Sequence, residues 1–114
     1  MKVVALVGST RRNSTTRKAT EIVVKELGKQ GIEAEIVHFA EVKLPIYEGD
    51  LEKDNYPDIV KNFIDKVSKA DGVILASPEY HGSVSGVIKN AIDFLGAREM
   101  SGKLAAIIGT AGSK

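Results

Sequence analysis

The 114-residue sequence contains no cysteine. That excludes disulfides, thiolate catalysis and zinc–cysteine sites, and it suits a reducing cytoplasm. Tryptophan is absent too, and three tyrosines and three phenylalanines are the whole aromatic content. So few rings argue against a base-stacking nucleic-acid surface. The formal net charge is only +1, so no excess of one sign points to nucleic acid or to an anionic membrane. The N-terminal apolar run Val3-Val4-Ala5-Leu6-Val7 is far too short for a signal-peptide core or a membrane span. What is present is an ordinary globular composition, 43% hydrophobic and 27% charged, in a chain long enough for one domain with one core.

The apolar spacing predicts four strands alternating with three helices. Residues 2–7 form a continuous valine-rich run ended by Gly8, as a buried strand does. A helix is expected from about residue 14 to 30, with Ala19, Ile22, Val23 and Leu27 on one face and Gly28 and Gly31 marking its end. Residues 33–39 alternate as a second strand, and 40–56 read as a charged excursion without a strong element. Pro57 suits a first helical position. Ile59, Val60, Phe63, Ile64, Val67 and Ala70 then share a face. Residues 72–77 (GVILAS) are a third buried strand. Val84, Val87, Ile88, Ala91, Ile92 and Leu95 carry a third helix, and 104–108 a fourth strand. This order implies a parallel sheet covered on both faces. Ligands of such sheets bind beyond the carboxyl ends of the strands, where strand order reverses. The loops leaving the first, third and fourth strands end there, and all are rich in Gly, Ser or Thr.

Taken from its residues alone, the first loop, GSTRRNST at 8–15, has two readings. It offers a phosphate the free N–H groups of a helix start, the hydroxyls of Ser9, Ser14, Thr15 and Thr16, and Arg11 or Arg12. It also reads as a helix start capped by Ser14 with solvated arginines. The second loop, Pro78-Glu79-Tyr80-His81-Gly82-Ser83, reads as a backbone wall for a flat heterocycle, or as a turn with Ser83 or Ser85 capping the next helix. His81 reads as a hydrogen-bonding surface residue rather than an acid–base catalyst, and His38 as structural or exposed. Glu79 and Asp93 lack the spacing of a carboxylate pair or metal site. The acidic alternation Glu48, Asp50, Glu52, Asp54 is a solvated loop.

Three stretches, GSTRRNS at 8–14, LPIYEGDLE at 44–52 and SPEYHGSVSGVIKNAIDFL at 77–95, together resemble the NADPH-dependent FMN reductase family, nearest its azobenzene-reductase-like branch. Many other members carry Asn where this chain has His81, and Asn in place of Thr16. The resemblance implies an α/β flavodoxin-like three-layer sandwich with strand order 2-1-3-4. It implies that Ser9, Arg11 and Ser14 contact the FMN phosphate, with Thr15 and Thr16 adding donors. Pro78, Glu79, Tyr80, His81, Gly82 and Ser83 would line the ribityl chain and isoalloxazine, and residues 110–113, Thr110 and Gly112 among them, would begin a third wall. The implied reaction is ping-pong. NADPH or NADH passes hydride to flavin N5, and a quinone, azo compound, free flavin or metal oxyanion then takes the electrons. No side-chain catalyst and no metal are expected. The implied partners are that small-molecule acceptor and further copies of the chain in a dimer or tetramer, with no nucleic acid and no membrane.

Family members continue beyond this point with another strand and further helices. Residues 1–114 therefore read as a single flavodoxin-like domain, incomplete at its C-terminus, whose fourth strand is an unprotected edge. Two other functions stay open: a flavodoxin-like electron carrier, and a non-catalytic fragment of the fold. Flavodoxins usually carry a threonine-rich first loop without arginines on an acidic protein, so the first loop and the +1 balance favour the enzyme.

Overall fold

The computed structural model describes residues 1–112. Four parallel strands, β1 (Lys2–Val7), β2 (Glu33–His38), β3 (Gly72–Pro78) and β4 (Leu104–Thr110), form one sheet in the order β2-β1-β3-β4. The helices are α1 (Thr15–Lys29), α2 (Asp58–Lys69), α3 (Gly86–Asp93) and a short α4 (Ala97–Met100). Strand order reverses at β1, whose neighbours are β2 on one side and β3 on the other. The predicted parallel sheet and its order are observed.

Both sheet faces are built by the period-two alternation of the strands. Val4 and Leu6 of β1 and Val73 of β3 join Val60, Phe63 and Val67 of α2 and Ile88 and Ala91 of α3 in the larger core. Val3, Ala5 and Ile74 face the other way, against Val23, Val24 and Leu27 of α1. The excursion at 40–56 contributes more than its polarity suggests. Val42, Leu44 and Tyr56 pack on the larger core, and residues 53–55 form a 3-10 turn. Tyr56 stands edge-on to Phe94, and burial pushes its hydroxyl pKa up.

Helical faces differ from the expected ones in detail. On α1 the buried positions are Thr16 and Thr20, continued by Val23, Val24 and Leu27, whereas Ile22 is 70% exposed. Apolarity misled there because Thr20 buries its hydroxyl by donating to the Thr16 carbonyl (2.8 Å). Pro57 is the N-cap of α2 and not its first helical residue, and Ile59 is exposed. Val84 precedes α3 and is exposed, since Ser85 caps that helix. Ser14 caps α1 by accepting from the Arg17 N–H at 3.0 Å, as one reading of the first loop has it.

Strand β4 is a sheet edge among the described residues. Leu104 is 66% and Ile107 82% exposed, while Ile108 packs on the core under α1.

Candidate functional site

The site is set by where β1 stops. Gly8 continues the ladder by donating to the Ala76 carbonyl at 2.7 Å. A Cβ at Gly8 would lie 2.7 Å from Ser85 Oγ and 2.8 Å from Ile88 Cβ. Only glycine lets the start of the first loop pass this close to α3. Ser9 is buried, and its hydroxyl accepts from the Arg11 N–H at 3.0 Å, which tightens the turn before α1. At the helix start, Thr15 and Thr16 have no intrahelical acceptor for their N–H groups. The N–H groups of Thr10, Arg12 and Asn13 likewise find none among the described residues. Arg11 and Arg12 are exposed and make no ion pair among the described residues.

Of these residues Arg11, Asn13, Thr15 and Thr16, but not Thr10 or Arg12, line a cleft of about 280 Å³. Its first wall is Ser9, Arg11, Asn13, Ser14, Thr15 and Thr16. Pro78, Glu79 and Tyr80 from the end of β3 form the second, and Thr110, Ala111 and Gly112 from the end of β4 the third. The three loops are fastened to one another. Thr16 and Thr110 share a hydroxyl hydrogen bond of 2.7 Å, and the Glu79 N–H donates to the Thr110 carbonyl at 2.7 Å.

His81, Gly82 and Ser83 do not line this cleft. They form a tight turn beside it, in which the Tyr80 N–H donates to the Ser83 carbonyl (2.9 Å) and the Ser83 N–H to the Tyr80 carbonyl (3.2 Å). His81 (φ 53°) and Gly82 (φ 86°) both take left-handed backbone, as the two central residues of a type I′ turn must. The Glu79 carboxylate accepts from the Gly82 N–H at 2.7 Å and locks the turn. Gly82 is therefore required by the turn's dihedral angles. A Cβ there would meet no protein atom within 4 Å.

Of the residues read from the sequence, the structure brings together Ser9, Arg11, Ser14, Thr15, Thr16, Pro78, Glu79, Tyr80, Thr110 and Gly112. Ser113 lies outside the described residues. Asn13 was not singled out, although its place between Arg12 and Ser14 in the donor-rich loop was the available signal. On the far side of Tyr80 a second hollow, about 360 Å³, is walled by Leu44, Ile46, Val87 and Asn90. Asn90 ties the 45–47 segment down, accepting from the Tyr47 N–H and donating to the Pro45 carbonyl. Among the described residues no cluster of His, Asp and Glu could hold a metal ion, and no helix is long and apolar enough to cross a membrane.

Comparison with known proteins agrees with this geometry. The chain is 37% identical over 112 residues to an NADPH azoreductase of Bacillus sp., covering 98% of this chain and 60% of the relative. It is 36% identical over 110 residues to a quinone reductase of Pseudomonas putida, covering 93% of this chain and 58% of that protein. The solved flavoenzyme NAD(P)H:(acceptor) oxidoreductase of Paracoccus denitrificans superposes with a TM-score of 0.79 at 35% identity, over 95% of this chain and 59% of its own. The chain thus spans about 60% of the length of the relatives it matches. The family model for NADPH-dependent FMN reductases matches residues 1–114, and the chain belongs to that family.

Proposed function

We propose that the cleft holds FMN, with its phosphate on residues 9–16, and that the protein passes electrons from NAD(P)H to a small acceptor such as a quinone or azo compound. The observation that carries this reading is the set of unpaired N–H groups at the start of α1, open to a cleft at the strand-order switch point. That donor set fits a phosphate: peptide N–H groups, the Ser14 hydroxyl, the helix dipole and the Arg11 guanidinium carry no negative charge to oppose it. Pro78, Glu79 and Tyr80, with Thr110 and Gly112, would bound the ribityl chain and ring. His81, Gly82 and Ser83 would hold the rim as a rigid turn.

FMN, when bound, supplies the hydride and electron transfer between nicotinamide and acceptor. The chain binds, orients and shields. Glu79, the carboxylate in the cleft wall, accepts from the Gly82 N–H and so holds the rim turn in place. The apolar hollow across Tyr80 suits a flat aromatic acceptor in size and lining. Relatives named as quinone reductase and NADPH azoreductase support the acceptor class; a ping-pong order, a dimer or tetramer and a cytoplasmic setting belong to the same proposal.

The test is to purify the chain, record its visible spectrum, titrate it with FMN, and follow NADPH oxidation with benzoquinone and with an azo dye. Retained flavin and turnover with parallel double-reciprocal lines are expected. A colourless protein that takes up no FMN would refute the flavin site. Bound FMN without NAD(P)H turnover would make the protein an electron carrier.

A further inference from the structure

His38 is the buried titratable group that the proposed chemistry leaves unused. It ends β2 and pairs with Val7, so the strand register sets it beside the start of the first loop. Alternation along β2 puts it on the side of Ala34 and Ile36, the side that α1 covers. Its side chain is 1% exposed. There the Arg17 guanidinium lies 2.9 Å from His38 Nδ1 and donates to Glu41 at 2.9 Å. A guanidinium has donors only. Nδ1 is therefore the acceptor, the ring is neutral, and its proton sits on Nε2. That Nε2 is buried and has no hydrogen-bond partner among the described residues. Burial and then Arg17 hold the ring pKa below 6.5, against an opposing pull from Glu41 and from the Ser9 and Arg11 carbonyls of the first loop.

A buried donor left unpaired is costly, and the acceptors nearest to hand belong to the loop that faces the cleft.

We propose that His38 is a positioning residue for the anion loop: its Nε2–H takes the Ser9 or Arg11 carbonyl when a phosphate settles on the loop, fixing the backbone that carries Ser9 and Arg11 into the cleft wall. Arg17, anchored by Glu41 and Glu21, keeps the ring in the tautomer this requires. The proposal rests on the reading of residues 9–16 as the phosphate site.

The chain has two histidines, so nitrogen-15 spectra of the intact protein resolve the His38 ring directly. An Nε2–H tautomer is expected without ligand, with the Nε2 proton moving downfield on addition of FMN and not of riboflavin. A ring protonated at Nδ1, or an Nε2 proton that FMN leaves in place, overturns the proposal. Fluorescence titrations of His38→Leu and His38→Gln with both flavins give the second readout. Leu should weaken FMN about tenfold and leave riboflavin unchanged, and Gln, which keeps a donor near the Nε2 position, should recover most of the loss. Equal loss of both flavins, or no recovery with Gln, overturns it. A parent chain that binds FMN no better than riboflavin refutes the phosphate reading itself and takes this proposal with it. The spectra serve as the test if His38→Leu does not fold.

Discussion

Replacing Gly8 with Ala should destabilise the protein far more than one added methyl suggests. The new Cβ would sit 2.7 Å from Ser85 Oγ, 2.8 Å from Ile88 Cβ and 3.3 Å from the Ala76 carbonyl oxygen. Ser85 can rotate away, but its hydroxyl is the N-cap of α3, accepting from the Ile88 N–H. Ile88 cannot, because its Cβ is rooted in the helix and its side chain is fully buried. The helix must therefore shift or lose its cap. Overpacking of this kind costs about 1–3 kcal/mol, and a lost cap about 0.5–2 kcal/mol. A total of about 2–4 kcal/mol corresponds to a fall in Tm of roughly 8–15 °C for a chain of this size. Thermal melts followed by circular dichroism give the measurement. Gly28→Ala is the control: it lies in α1, a Cβ there meets nothing within 4 Å, and helix propensity should raise stability by about 0.5–1 kcal/mol. If Gly8→Ala melts with the parent, the close approach of β1 to α3 is not the constraint described.

Arg11→Ala should weaken FMN by about 1.5–3 kcal/mol, through loss of a charge-assisted bond, and spare riboflavin; equal weakening in calorimetry would show that the phosphate lies elsewhere. Gly82→Val should distort the turn at the cleft rim, at a backbone cost of about 1–3 kcal/mol, and impair flavin binding. His81→Asn should hold the left-handed turn at least as well and keep flavin binding and reduction; stopped-flow loss of reduction with FMN still bound would make His81 catalytic. Stability should rise with pH around the ordinary histidine range, because unfolded His38 titrates near 6.5 and the native ring below it. Between those values the unfolded chain binds more protons, so this contribution is complete above the ordinary value and lost as pH falls through the native one. Identical pH slopes for the parent and His38→Leu would exclude it. Finally, the bare β4 edge with Leu104 and Ile107 exposed should drive these 114 residues to self-associate; sedimentation as a monomer with a cooperative melt would contradict that.

The sequence by itself determined the sheet and the sheet edge where the candidate cleft lies. Uninterrupted apolar runs such as 72–77 mark strands buried on two faces, and helical spacing between them forces parallel connections. Gly, Ser and Thr gather after β1, β3 and β4, so the edge that carries the candidate cleft follows from chain order alone. Ser14 and Ser85 show as helix caps because capping is decided within a few residues.

Only the tertiary structure decided which side chain faces what. Ile22 is exposed and Thr20 buried, because a threonine that donates to its own helix can replace an apolar residue against the sheet. Gly8 and Gly82 look alike in the sequence, yet one is fixed by crowding from α3 and the other by left-handed backbone in a turn. His38 read as structural or exposed. Its burial beneath the first loop, with Arg17 and Glu41 fixing its tautomer, arises from residues 17, 38 and 41 meeting across α1 and β2. No local pattern encodes such a meeting, because its energy comes from desolvation and hydrogen-bond geometry that exist only once the chain has folded.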